Sequence, residues 1–293
     1  MSDPSVRLAL VGPASIVAAR SELLQRVPDA IVTVTAESME AAWRDGDDFD
    51  AAVVGCAADA RLAAERGKHV LVDAPCADSC DTAETLIEVC QQAKVMLAVG
   101  GLPRDAPACQ AIIDRLASGK LGDPGLLRVH RWRSDAERSL ASTIFGDIDL
   151  ALHLFQATPS EIYAIGRGNH SYLQIHLGFP GGGMALFDFA QRLPAGQAYD
   201  SLSLIGSKGA AYADDHHNTH LLFAGGHPAA LISDSGTGGL RELREFVTCV
   251  ARGVAPAIDG KAILAVHRVT DAVRRSIESA AVLHQRGVIY EPA

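Results

Sequence analysis

Five short apolar runs, at residues 7–12, 30–35, 50–55, 70–73 and 95–100, alternate with helix-forming stretches over the first hundred residues. Apolar runs of this length, with no polar alternation, suit strands buried on both faces of a parallel sheet. Strands and helices alternating at this pace form βαβ units with right-handed crossovers, which predicts a doubly wound sheet. Beyond residue 122 the texture changes. Residues 126–133, 160–166, 171–179, 184–192, 200–205 and 210–214 read as strands, and Pro180-Gly181-Gly182-Gly183 fits a hairpin turn between two of them. Apart from a helix around Asp149, this half is expected to be an open, largely antiparallel sheet. Helices are expected at 239–252 and 262–286. The fold class is therefore α/β: a Rossmann-like domain over 1–122, then an α+β domain over 123–293.

The chain of 293 residues is long enough to bury a sizeable core. Its formal net charge of −9 and pI of about 5.6 argue against a nucleic-acid partner, because phosphate contacts need clustered cations. No uninterrupted apolar run approaches the length of a membrane span. The start, Met1-Ser2-Asp3-Pro4, lacks a basic stretch followed by an apolar one, so a cytoplasmic protein is expected. The cysteines at 56, 76, 80, 90, 109 and 249 sit mostly in apolar or helical contexts and read as reduced, structural thiols. Cys76 and Cys80 lack a second pair for a zinc site. The run Asp215-His216-His217-Asn218-x-His220 invites a metal, but a polar edge or turn explains it as well, and no metal is expected.

Several short motifs stand in a fixed order: Gly67-Lys68-His69-Val70-x-x-Asp73-Ala74-Pro75, Gly100-x-x-x-Arg104, Gly119-Lys120-Leu121-Gly122, Asp149-x-x-x-His153 and Leu204-Ile205-Gly206-Ser207-x-Gly209. In this order the chain resembles the glucose–fructose oxidoreductase / inositol dehydrogenase / rhizopine-catabolism (Gfo/Idh/MocA) family of nicotinamide-dependent dehydrogenases. The likeness runs from Leu8 to Tyr290. It implies NAD or NADP as cofactor, a sugar- or polyol-like alcohol as substrate, and a homo-oligomer formed through the C-terminal sheet. A cleft between the two domains would hold the ligand.

The resemblance carries over to particular residues. Gly12 stands at the first glycine of the dinucleotide loop, with Ala14 and Ser15 following; Ala14 and Val17 replace the other two glycines. The Ala14 methyl is expected to point into the space of the pyrophosphate, and Val17 to push the helix outward. Glu37, with Thr35 as the lesser candidate, is nearest to the family's ribose-binding acid. Glu37 also suits a helix start. Cys56 follows the third strand, and Asp73 and Pro75 flank Ala74, which stands where the family has its catalytic lysine. Lys68 lies at the other end of the fourth strand, roughly 20 Å away, and cannot substitute.

Asp149 and His153 are four apart, so a helix stacks them on one face. By resemblance His153 is the acid–base group that takes the substrate hydroxyl proton, and Asp149 orients substrate or imidazole. As an alternative, Asp149 favours a helix start and His153 is a packed helical residue. Arg104 matches the family's cleft arginine and could clamp the substrate. Arg131, Trp132 and Arg133 could line the sheet face or belong to an interface. Two functional readings stand: a nicotinamide-dependent oxidoreductase, and a non-redox descendant of that scaffold that binds a metabolite or a partner.

Overall fold

The computed structural model describes residues 5–134, 139–167, 170–194, 198–214, 219–223, 229–231 and 238–292. The chain divides into two compact units. The first comprises the residues up to Asp105 together with Gly236–Leu264, and the second comprises Ala106–Ser235 with Ala265–Ala293.

In the first unit, β1 (Val6–Val11), β2 (Ala30–Ala36), β3 (Ala51–Val54), β4 (His69–Asp73) and β5 (Leu97–Gly100) form a five-stranded sheet in the order β2-β1-β3-β4-β5. Every pairing is parallel. The crossovers are α1 (Ala14–Leu24), α2 (Met39–Asp45), α3 (Ala57–Glu65) and α4 (Cys80–Ala93). Strands β3 and β5 are buried throughout, as their unbroken apolar runs require. Serine side chains start two of the helices: Ser38 Oγ accepts from Ala41 N at 3.3 Å and Ser79 Oγ from Thr82 N at 3.1 Å.

The boundary expected at residue 122 is corrected by this division. The helix α7 (Gly238–Arg252) belongs to the first unit, because its apolar stripe of Leu240, Leu243, Phe246 and Val247 joins the core of Val6, Leu8, Leu10, Val53 and Leu71. Burying such side chains stabilises by about 1.5–3 kcal/mol each, so the stripe decides where the helix packs. Helix α5 (Pro107–Ala117), expected to close the first domain, belongs to the second unit.

The second unit holds a ten-stranded sheet. Its central strands are β6 (Pro124–Trp132), β7 (Glu161–Arg167), β8 (Tyr172–Gly178), β9 (Met184–Ala190), β10 (Tyr199–Gly206) and β11 (Ala210–Asp214). Pairing runs β11-β10-β6-β9-β8-β7, antiparallel except for β6 with β9. Strands β12 (Thr219–Phe223) and β13 (Ala229–Leu231) extend one edge. The hairpin after β8 turns at Gly181 and Gly182, both at φ +89°, and closes with Phe179 N to Gly183 O at 2.8 Å. α8 (Gly260–Ser279) is shorter than expected. Ala280 adopts a left-handed conformation, and β14 (Leu283–Arg286) and β15 (Ile289–Pro292) form a hairpin on the β7 edge. Ser276, fully buried on α8, fixes this stop: its Oγ accepts from Ala164 N at 3.0 Å and donates to Ala281 O at 2.7 Å.

One sheet face is covered and the other is open. Leu127, Val129, Leu173, Ile175, Phe187 and Leu204 point to the buried face. Between them in register, Trp132, Ile165, Tyr172, Met184 and Ile205 keep more than a third of their surface exposed. Among the described residues no helix is long and apolar enough to cross a membrane.

Candidate functional site

The sequence-derived cofactor residues meet at the carboxyl edge of the five-stranded sheet. Gly12 follows β1 at φ +145°, with open space where a side chain would stand, and its N–H bonds to Ala36 O at 2.9 Å across to β2. α1 starts directly afterwards. Its N-cap, Pro13, offers no side-chain acceptor, and no acid lies in the first turn. Pro13 O accepts from Ile16 N and Val17 N, which leaves the amides of Ala14 and Ser15 without intrahelical acceptors, on two exposed residues. An open helix N-terminus free of carboxylates favours an anion. Val17 is partly buried against the core of the unit. The turn thus presents two open amides to an anion, although two of the three customary dinucleotide-loop glycines are missing.

The next strand ends supply polar side chains. Thr35 and Glu37 are exposed at the end of β2. Cys56 is exposed at the start of α3, its Sγ 3.3 Å from Asp59 Oδ2, and partial burial beside that carboxylate raises the thiol pKa. Asp73 ends β4 and forms an ion pair with Arg20, which reaches up from α1. Ala74 follows, its N–H bonded to Gly100 O at 2.9 Å, and Pro75 is joined to it by a cis peptide. Lys68 is engaged at the amino end of β4: its Nζ donates to Asp47 O at 2.9 Å and to Phe49 O at 2.8 Å.

A residue that sequence reasoning missed completes this edge. Glu242, on α7, places Oε2 2.6 Å from Gly101 N, directly after β5. A methyl on Gly100 would overlap its carboxylate. Glu242 keeps some surface at solvent, yet its surroundings are mostly protein, and burial pushes its pKa up to about 7. Asp73 and Asp105 push the same way, against the Gly101 N–H and Arg20. The helical periodicity of α7 assigns Glu242 to a solvated flank; only the three-dimensional return of α7 reveals its place. Arg104 lies nearby in a short 3-10 helix (Pro103–Asp105), buried, and lines a small cavity with Asp105, Glu242, Glu245 and Phe246.

In the second unit, α6 (Leu140–Phe155) carries the predicted acid–base pair. Ser139 caps it through Ser142 N at 3.1 Å. Asp149 is buried and His153 half-buried, one turn apart. Two positions before Asp149, buried Asp147 receives a two-pronged hydrogen bond from Arg131 of β6, at 2.7 and 3.0 Å. Burial alone would lower the Arg131 pKa, but Asp147 and Asp200 outweigh it and raise it above the usual arginine value. Arg131 thus faces the helix, whereas Trp132 faces the open side of the sheet and Arg133 pairs with Asp200 at 2.5 Å.

His216 and His217 lie outside the described residues, as does the side chain of His220. Among the described residues no group of three or more His, Cys, Asp or Glu could hold a metal ion. All six cysteines stand outside disulfides, and burial raises Cys76 to about 12 and Cys90 to about 11, which leaves both as inert thiols.

No family model matches the chain, and no curated protein matches its sequence. Solved structures do match it. The UDP-N-acetylglucosamine 3-dehydrogenase of Acidithiobacillus ferrooxidans superposes with a TM-score of 0.80 at 19% identity, over 94% of this chain and 98% of that one. The aldose-aldose oxidoreductase of Caulobacter crescentus, complexed with glycerol, gives 0.84 at 16% identity, over 96% and 100%. An oxidoreductase of Agrobacterium radiobacter, in complex with NAD+, L-tartaric acid and magnesium, gives 0.80 at 15% identity, over 96% and 98%. The chain has the fold of Gfo/Idh/MocA-type dehydrogenases.

Proposed function

We propose that this chain, built on the fold of those dehydrogenases, is a nicotinamide-dependent oxidoreductase that acts on a sugar- or polyol-like alcohol. The observation that carries the reading is the carboxyl edge of the first unit's sheet. There an uncapped helix start at Ala14–Ser15 adjoins Glu37 at the end of β2 and Asp73 at the end of β4. Ligands of doubly wound sheets bind at this edge, across the point where the strand order reverses, here between β1 and β3. Solved relatives in fold support the cofactor class, since one of them is a complex with NAD+.

When bound, the nicotinamide supplies the hydride acceptor. The chain's own residues do the rest. Ala14 and Ser15 bind phosphate through backbone N–H groups, Gly12 leaves the space beside them open, Glu37 with Thr35 accepts hydrogen bonds from the ribose, and Cys56 and Pro75 border the same edge. His153 takes the substrate hydroxyl proton at an imidazole nitrogen, Asp149 orients that exchange, and Arg104 binds the substrate. The open face of the second unit's sheet, with Trp132, Tyr172 and Met184 exposed among polar neighbours, suits contact with a second copy of the chain. Six cysteines outside disulfides suit a reducing, cytoplasmic setting.

A second reading, a non-redox scaffold that binds a metabolite or protein partner, rests on one specific observation. Lys68 is tied to carbonyls at the amino end of β4, away from Ala74, which by the resemblance stands at the family's lysine position. Incubating the protein with a panel of sugars and polyols plus NAD+ or NADP+ separates the two. Growth of reduced-nicotinamide absorbance that His153→Ala abolishes supports the oxidoreductase. A panel that yields no reduced cofactor above a protein-free control favours the scaffold.

A further inference from the structure

Glu242 brings a carboxylate to a place that no local sequence pattern marks. It sits 141 positions from Gly101 in sequence, yet accepts that residue's N–H at 2.6 Å. The bare Cα of Gly100 makes the approach possible, since any side chain there would displace the carboxylate. Asp73 and Gly100 are register partners in the parallel β4–β5 pair, so the Asp73 side chain and the Glu242 carboxylate lie on one face of the sheet.

Each element packed around Glu242 contributes a charge. Arg20 comes from α1, Asp73 from β4, Arg104 and Asp105 from the short helix after β5, and Arg241 and Glu245 from α7 itself. Arg20 neutralises Asp73 by direct pairing. Burial raises the Asp105 pKa and Glu245 adds to it, while Arg104 and Arg241 lower it. Glu242 therefore adds one negative unit beside the ends of β4 and β5 when it is ionised and removes it when it holds a proton.

The strand order gives that charge a consequence. If Glu37 at the end of β2 held the ribose and the α1 start after β1 held the phosphates, a dinucleotide that spans the switch point would have its second half toward β3, β4 and β5. The ring of that half is a cation in the oxidised cofactor and neutral in the reduced one. We propose that Glu242 is a specificity-determining residue: its ionised carboxylate makes this edge favour the cationic nicotinamide over the neutral dihydronicotinamide. The inference rests on the nicotinamide reading above. Because the Glu242 pKa lies at about 7, the preference is set by pH within the physiological range. The extra negative unit appears as pH rises, so affinity for the oxidised cofactor rises with it, while affinity for the reduced form does not.

Calorimetric titration of the intact protein with NAD+ and with NADH, at pH 6 and at pH 8.5, tests this. NADP+ and NADPH replace them if those bind tighter. The ratio of the two dissociation constants is expected to shift about tenfold toward the oxidised form between the two pH values. Glu242→Gln keeps an acceptor for Gly101 N–H and removes the charge; its ratio should be flat and equal to the wild-type ratio at pH 6. A wild-type ratio that does not change with pH overturns the inference and leaves the nicotinamide reading intact, as does a Gln variant that keeps the shift. The wild-type titration can overturn it without any variant. If neither form binds at either pH, the nicotinamide reading fails and this inference falls with it.

Discussion

Arg131 of β6 grips Asp147 of α6 with two parallel hydrogen bonds, at 2.7 and 3.0 Å, and both side chains are almost wholly buried. The pair fixes the turn of α6 immediately before Asp149, and through it the rotation that sets where Asp149 and His153 point. Removing one partner leaves an uncompensated buried charge, which costs about 3–5 kcal/mol. Arg131→Ala should therefore lose about that much stability in urea unfolding. Arg131→Met combined with Asp147→Leu should recover most of the loss. A single variant within 1 kcal/mol of wild type would show that the pair holds nothing.

Gly206 explains why a glycine stands at the end of β10. Its N–H bonds to Gly209 O at 2.8 Å, Ser207 N to Asp123 O at 2.9 Å and Lys208 N to Leu121 O at 3.0 Å, so this turn clasps the chain just before β6. A Cβ on Gly206 would run into the carbonyl oxygens of Leu121 and Asp123, which are backbone and cannot swing away. Gly206→Ala should destabilise by roughly 1–3 kcal/mol, the usual range for overpacking, measured as a fall in Tm. An unchanged Tm would mean that the two segments separate freely.

Glu242 makes stability depend on pH in a direction opposite to that of ordinary ion-paired acids. Its folded pKa of about 7 lies above the unfolded value of roughly 4.3, so between these values the folded chain holds a proton that the unfolded chain has released. The contribution is full below the unfolded pKa and is lost as pH rises through 7. Solvent exposure limits it to at most about 3 kcal/mol. Denaturation between pH 5 and pH 8.5 should show this decline in wild type and its absence in Glu242→Gln. Asp50 works the other way. Its hydrogen bonds from Arg7 lower its pKa, so its contribution is present above the unfolded value and lost at acid pH.

His153 and Ala74 predict opposite kinetic changes. If His153 moves the hydroxyl proton, His153→Ala should lower kcat by about 10²–10⁴, the usual range for an acid–base group. Ala74→Lys adds an ammonium at the end of β4 and should raise kcat at least tenfold by the same argument. Steady-state kinetics on one accepted substrate read both. A His153→Ala enzyme of wild-type rate would remove that residue from the chemistry.

The first unit was legible because its physics is local. Strands such as Ala51–Val54 are buried on both faces and read as unbroken apolar runs, and Ser38 and Ser79 announce helix starts. Where the outcome depended on remote packing, the sequence misled. α7 and its stripe of Leu240, Leu243 and Phe246 read as part of the second domain, because nothing within the helix says which core it enters. The end of α8 was missed because Ala280, Ala281 and Val282 continue a helical apolar pattern; Ser276, bonded to Ala164 and Ala281, is what stops it. Candidate residues at strand ends came from the family resemblance, and the structure puts them at strand ends. Glu242 could not be found that way, since its meaning comes from Gly100 and Gly101 across the fold.

The central claim is that the first unit's sheet edge holds a nicotinamide dinucleotide although Ala14 and Val17 replace two glycines. Isothermal titration of the purified protein with NAD+, NADH, NADP+ and NADPH tests it most directly. The account predicts saturable binding of at least one of them, one molecule per chain, which weakens when Gly12→Val fills the open space beside α1. Heats of dilution alone, for all four at millimolar concentration, would contradict it.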